Sequence, residues 1–282
     1  MDNRFFLVSA CYNIAPSVNL QNRLSINIFT FFEFHHKSIS LLRWAIENEV
    51  RSTTFSVGLF REDSIASKLM GEYAKFVGST FLQNLLMPVI KKVQNLSSSL
   101  DEKTISKFAS KIIIQITEHP EMCPFQLRVL CFFLQQEVKR KFNESALQSI
   151  GSFLFLRFIC PSICSPHIWS IVKKPVSFQA TKELVKIAKL IQNLVNSLNN
   201  SFDESQVDEF IYSHRELLSK FLTNVGIKTF EDSNEKYEQY FSPIQIQQQE
   251  MSLSLENLMK FIQERVDEIE LIFSNKNFWK AN

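Results

Sequence analysis

Glycine is scarce in this chain. Only 5 of its 282 residues are Gly, well short of the ~7% that is usual. The few present form neither a G-x-G-x-x-G fingerprint nor a P-loop, which disfavours nucleotide-binding α/β folds. Proline is sparse too, at 8 residues. Neither sign of charge dominates. A formal net charge of +2 lacks the basic excess of a dedicated nucleic-acid binder. A long apolar run is missing as well: the nearly uncharged stretch from Ser145 to Val172 is broken by Arg157, Pro161 and Pro166. A membrane span needs about 20 continuous apolar residues, and a central Arg costs roughly 2.5–3.5 kcal/mol there. The stretch therefore reads as a buried helix of a soluble protein, with no direct membrane insertion. Five cysteines, Cys11, Cys123, Cys131, Cys160 and Cys164, are an odd number at irregular spacing. In a chain large enough to need no staples, that reads as a reduced, intracellular protein. The opening MDNRFFLVSACYNIAPSV sets a short apolar patch behind an acidic residue and offers no clear cleavage site, a poor signal peptide.

What the chain does hold is apolar mass: 45% hydrophobic residues, with Phe supplying 27 of the 35 aromatics. That suffices for the core of one large domain or two small ones. Apolar residues recur at intervals of three and four, the mark of one-sided helices. Ile65, Leu69, Tyr73, Phe76 and Val77 form one stripe; Leu127, Leu130, Cys131, Leu134 and Val138 another; Leu184, Ile187, Ile191, Leu194, Val195 and Leu198 a third. No strand pair with a two-residue Gly turn is present. Helices are expected near 18–34, 37–50, 64–77, 78–95, 101–118, 123–142, 145–159, 178–200 and 205–224. Ser97 to Asp101 suits a connection with an N-cap. Glu118-His119-Pro120 and Cys160-Pro161-Ser162 are expected to end helices, because the residue before Pro avoids helical geometry. The composition suggests an N-terminal segment 1–17, a helical domain 18–227, a polar, Gln-rich linker 228–250 and a C-terminal amphipathic helix 251–282. The last carries Leu255, Leu258, Ile262, Val266, Ile269 and Ile272 on one face, and is expected to fold back on the domain.

Chemistry-bearing clusters are few. Cys160-x3-Cys164-x2-His167 lacks the second ligand pair of a zinc site, so these thiols read as small buried hydrophobes and no metal is expected. The five histidines sit in unrelated contexts, and none belongs to a hydrolase motif. Lys91-Lys92, Lys139-Arg140-Lys141 and Lys173-Lys174 read as solvated helix ends favoured by the macrodipole. Two arginines stand apart. Arg61 follows Leu59 and Phe60 in the connection between two helices, where Leu59 and Phe60 anchor the loop. Arg157 lies in Phe153-Leu154-Phe155-Leu156-Arg157-Phe158-Ile159, an otherwise apolar helix. A charge there is expensive unless the guanidinium is hydrogen-bonded, for example to backbone carbonyls. On composition alone the plainer readings are favoured: a solvated loop residue and a structural capping arginine.

At these residues the chain resembles the Ras GTPase-activating protein family, in style its neurofibromin-like members. Leu59-Phe60-Arg61 followed by Ser64-Ile65-Ala66-Ser67-Lys68 resembles the family's arginine-finger block, L-F-R-x-x-S-x-A-x-K. Pro124-Phe125-Gln126-Leu127-Arg128, with Phe142 beyond, resembles the block before the signature. Gly151 to Pro161 resembles the F-L-R-x-x-x-P signature, which Ser165-Pro166 continues, and Lys186 to Asn196 resembles the helix after it. The similarity spans about residues 20–225, with four blocks in order.

The resemblance implies an all-α, multi-helix RasGAP-like domain with a C-terminal helical extension. It implies a Ras-type small GTPase in its GTP form as partner, GTP and Mg²⁺ held by that partner, and no cofactor of the chain's own. It further implies Arg61 as catalytic finger, Arg157 as the residue steadying the finger loop, and Leu59, Phe60, Leu156 and Asn196 at the GTPase contact. A non-catalytic GTPase-binding scaffold is the alternative; a helical module unrelated to GTPases is a third. A cytoplasmic location follows, at the cytoplasmic face of membranes through the partner. The chain also departs from the pattern. Val57 and Gly58 stand before the finger block, Gly58 where a threonine is common, and Glu62-Asp63 replaces the frequent Gly-Asn. Asp63 is expected to N-cap the next helix. The lysine often found beyond the asparagine is missing from Asn199-Asn200-Ser201-Phe202-Asp203.

Overall fold

Side-chain oxygens begin several of the described helices. Ser17 accepts the Leu20 N–H, Asp101 the Thr104 N–H at 2.7 Å, Ser177 the Ala180 N–H and Asp208 the Phe210 N–H. Each satisfies a donor that the helix cannot pair internally. The bond from Thr104 also holds the Asp101 carboxyl below its ordinary value. A computed structural model describes residues 5–56, 59–60, 63–96, 98–142, 145–198, 208–226 and 246–274. Among them every regular element is helical, as the all-α class expects. The chain divides into two compact units, residues 1–73 with 234–282 and residues 74–233.

The first unit contains α1 (Phe6–Ile14), α2 (Val18–Phe34), α3 (Ser38–Ser52), most of α4 (Ile65–Val77), α11 (Gln248–Gln263) and α12 (Val266–Ser274). Within it α11 lies along α2, and α12 against α1. Leu24, Ile28 and Phe29 of α2 are buried, as are Met251 and Phe261 of α11. Phe5 packs its ring 5.6 Å from that of Phe32 and 5.2 Å from that of Trp44. The Tyr12 and Ser25 hydroxyls share a buried hydrogen bond, and burial pushes the Tyr12 phenol above its usual range. The C-terminal stripe is not one continuous face. Glu264 and Arg265 form a turn that divides it, leaving Val266 exposed while Ile269 is buried. Of the expected linker, 228–245 lies outside the described residues, and 248–250 already belong to α11.

The second unit contains α5 (Ser79–Val93), α6 (Glu102–Glu118), α7 (Phe125–Lys141), α8 (Ala146–Cys164), α9 (Phe178–Asn196) and α10 (Glu209–Asn224). Within it α9 packs against α5, α6, α8 and α10. Its buried stripe, Ala180, Leu184, Ile187, Ala188, Ile191, Leu194 and Val195, is the face expected from the spacing. Lys91-Lys92 and Lys139-Arg140-Lys141 occupy the last turns of α5 and α7. Lys173-Lys174 instead lies in a non-helical segment, because the chain after Pro166 coils through turns before Ser177 restarts a helix.

One expectation fails at Pro161. The helix does not end there but runs on to Cys164, through a π-helical turn over Ser152–Ile159. In that turn the Cys160 N–H reaches back to the Phe155 carbonyl, five residues earlier. The wider winding accommodates a ring that would otherwise crowd the carbonyl of residue i−4, and Pro has no N–H to pair. Such a helix is long and apolar enough to cross a membrane, but 67% of its most apolar stretch is buried inside the fold.

Candidate functional site

The loop between α3 and α4 is anchored by its first two motif residues. Leu59 is 2% exposed and Phe60 0%. Phe60 has φ 56, a left-handed conformation that costs a residue with a Cβ roughly 1–2 kcal/mol. Two things hold it there. Its ring is fully buried, and its N–H donates to Glu49 Oε1 at 2.7 Å. Glu49 sits in the last turn of α3. Its other oxygen, Oε2, accepts the Ser64 hydroxyl. One carboxylate therefore holds the chain at Phe60 and again at Ser64.

Ser64 also starts α4. Its N–H donates to Ser67 Oγ at 3.0 Å, and the Ser67 N–H donates to Ser64 Oγ at 3.0 Å. This is a capping box with Ser in the place usually taken by Glu or Gln. The expectation that Asp63 caps this helix is corrected: Asp63 lies one residue too early, and its carboxylate stands 3.8 Å from the Lys68 ammonium. Lys68 also donates to Asn22 Oδ1 at 2.7 Å, and Ala66 is buried. The Leu, Phe, Ser, Ala and Lys of the block thus each have a structural role. Beside Glu49 and Ser64 lies a cavity of about 320 Å³, whose lining also includes Trp44, Asn48, Ser52 and Ala66. Arg61, with Val57, Gly58 and Glu62, lies outside the described residues.

In the second unit, Leu156 and Arg157 are half-buried within the π turn of α8. Around them Phe153, Phe155 and Phe158 are fully buried. Phe158 faces Phe81 at 6.2 Å and Trp169 at 5.8 Å between ring centroids. Asn196 is exposed at the last position of α9. At Gly151 α8 comes close to that end of α9: a Cβ there would stand 3.1 Å from Val195 Cγ1, a tight contact. Residues 199–203, where the family lysine is missing, lie outside the described residues.

The structure thus gathers Leu59 and Phe60 with Glu49 and Ser64 in one unit, and places Leu156, Arg157 and Asn196 in the other. Glu49 is the residue that the sequence reading missed. The only available signal was an acidic residue in the last turn of a helix, where the macrodipole disfavours it.

The thiols are not poised for chemistry. Cys160 is buried and donates to the Ala188 carbonyl at 3.7 Å. Burial pushes Cys11 up to about 11 and Cys123 up to about 12, and raises Cys131, Cys160 and Cys164 as well. Among the described residues no group of three His, Cys, Asp or Glu side chains is placed to hold a metal ion.

Fold and site together define an all-helical protein with an anchored interhelical loop and an Arg-bearing, π-wound core helix. Residues 101–196 match the RasGAP family model, described as a GTPase-activator protein for Ras-like GTPase. The chain is 25% identical over 227 residues to a probable Ras GTPase-activating-like protein, ngap, of Dictyostelium discoideum, covering 72% of this chain and 26% of that protein. It is 29% identical over 214 residues to Ras GTPase-activating protein 1 of Rattus norvegicus, covering 68% and 21%. It is 25% identical over 211 residues to the inhibitory regulator protein IRA1 of Saccharomyces cerevisiae, covering 69% and 7%. The chain therefore spans about a quarter or less of the length of these curated relatives. The family resemblance is borne out by the match of residues 101–196 to the RasGAP family model and by the similarity to these relatives. These matches reach the family rather than its neurofibromin-like branch.

Proposed function

We propose that this chain is a GTPase-activating protein that binds a Ras-type small GTPase in its GTP form and donates Arg61 to the partner's active site. The family match and the names of the relatives support the class of activity. The observation that carries the mechanism is the anchoring of Phe60: a fully buried ring, a left-handed backbone and an N–H taken by Glu49. The next residue in the sequence is Arg61.

Negative charge redistributes over the phosphate oxygens as GTP hydrolyses, and a GTPase without a cation placed to meet it is slow. An arginine supplied in trans is worth about 10³–10⁵ in rate. Arginine suits the task because it stays charged and presents a planar fork of donors. GTP and Mg²⁺ belong to the partner, and the chain needs no cofactor of its own. Arg157 steadies the finger loop, while Leu59, Phe60, Leu156 and Asn196 support or line the GTPase contact. The complex forms in the cytoplasm, at the membrane face where the partner resides.

The test is single-turnover phosphate release from GTP-loaded Ras, Rap and Rho-type proteins. Wild-type chain is expected to accelerate release from at least one of them. Arg61→Ala is expected to abolish the acceleration while retaining binding to the GTP-loaded partner. Binding without acceleration across the whole panel would replace this reading with a non-catalytic scaffold.

A further inference from the structure

We propose that Glu49 is the positioning residue of the finger loop, acting on Arg61 through the backbone that flanks it; this rests on the activator reading above. The carboxylate of Glu49 is engaged at both of its oxygens. Oε1 accepts the Phe60 N–H at 2.7 Å, and Oε2 accepts the Ser64 hydroxyl. Arg61 lies between those two residues in the sequence.

A carboxylate is suited to this because it offers two acceptor oxygens at one terminus and donates nothing when ionised. Hydrogen bonds to an ionised acceptor are roughly twice as strong as neutral ones. Glu49 is carried by α3, whose buried Leu41, Leu42, Ala45 and Ile46 fix that helix in the first unit's core. The bond to Phe60 helps hold its φ of 56, which the residue would not adopt unaided. The bond to Ser64 ties the far end of the loop to the capping box of α4. A loop held at both ends before the partner arrives leaves less conformational entropy to lose at the encounter. The gain falls on the catalytic step, where an arginine must be placed, more than on docking.

Glu49→Ala is accordingly expected to lower the maximal stimulated rate at least tenfold while changing KM for the GTP-loaded partner less than threefold. Glu49→Gln keeps an acceptor for the Phe60 N–H and is expected to retain more of the rate than Glu49→Ala. Glu49→Asp, one methylene shorter, cannot span both partners and is expected to behave like Glu49→Ala. Hydrogen exchange supplies a readout independent of any GTPase. The Phe60 amide is expected to exchange at least tenfold faster in Glu49→Ala, with the amides of Leu42 and Ile46 unchanged.

An unchanged Phe60 exchange rate overturns the proposal. So does a stimulated rate within twofold of wild type while Arg61→Ala is inactive. Faster exchange throughout α3 with an unchanged rate per folded molecule would make Glu49 a plain structural residue and also overturns it. If wild type accelerates no GTPase, the activator reading falls, while the exchange experiment still decides whether Glu49 holds the loop. Should Glu49→Ala fail to fold, Glu49→Gln carries the same two measurements.

Discussion

The ring of Phe158 occupies the space that a side chain at Gly78 would need. A Cβ built on Gly78 would stand 2.2 Å from Phe158 Cζ and 2.6 Å from the Ala74 carbonyl oxygen. The glycine before α5 is thus fixed by the aromatic core of the signature helix, although the two lie 80 positions apart in the sequence.

Gly78→Ala is therefore expected to destabilise the second unit by about 1–3 kcal/mol, the usual cost of overpacking. Urea denaturation is the measurement. Because the Ala74 carbonyl is also in the way, trimming the ring with Phe158→Leu should recover only part of the loss in the double variant. A wild-type midpoint for Gly78→Ala would mean that the backbone yields more easily than this geometry allows.

At the start of α4, Ser67→Ala removes the acceptor for the Ser64 N–H while leaving the Ser64 hydroxyl in place. A lost cap of this kind costs about 1 kcal/mol. The expected outcome is a lowered denaturation midpoint with a smaller loss of stimulated activity than Glu49→Ala produces, since the Glu49 carboxylate still holds the loop.

Phe60→Ala removes a fully buried ring but leaves the residue with a Cβ in a left-handed conformation. Phe→Ala substitutions in cores cost about 3–5 kcal/mol. The strain at this position is not relieved by Ala and so does not offset the loss, and a cost within that range is expected from equilibrium unfolding. A loss below about 0.5 kcal/mol, the scale of an ordinary surface change, would show that the ring does not anchor the loop.

Alkaline pH should weaken the fold through its thiols. Burial raises Cys11 to about 11 and Cys123 to about 12, from an ordinary value of 9.0. A group raised on folding contributes its full stability below the unfolded value and loses it as pH climbs toward the folded one. Their contribution to stability is thus expected to hold from pH 7 to 8.5 and to fall from pH 9 to 12, with a shallower fall in Cys123→Ala. At pH 7.5 a small alkylating reagent should modify Cys164 first, since it is half-buried whereas Cys11, Cys123, Cys131 and Cys160 are buried.

Most helices were legible because their apolar residues fall three and four apart, and burial follows those stripes closely in α9. The L-F-R block and the signature were legible as ordered motifs, and the structure gives physical roles to Leu59, Phe60, Ser64, Ala66 and Lys68. What the sequence hid depends on distance or on unusual winding. The π turn let the helix pass Pro161, where local rules call for a stop. Asp63 and Ser64 are both good caps, and only the reciprocal bonds with Ser67 decide between them. Glu49 resembles any polar residue near a helix end, because its partners lie 11 and 15 positions ahead. The left-handed backbone of Phe60 has no signature in a residue type that seldom adopts it.

The first unit is assembled from both ends of the chain, with α11 lying along α2 and α12 against α1. The second is a single uninterrupted stretch, 74–233. During synthesis the ribosome has therefore made every residue of the uninterrupted unit before it reaches α11. The newborn α2 waits through all of that translation with one flank uncovered, and the scaffold around the anchored loop is completed only after the second unit has been made.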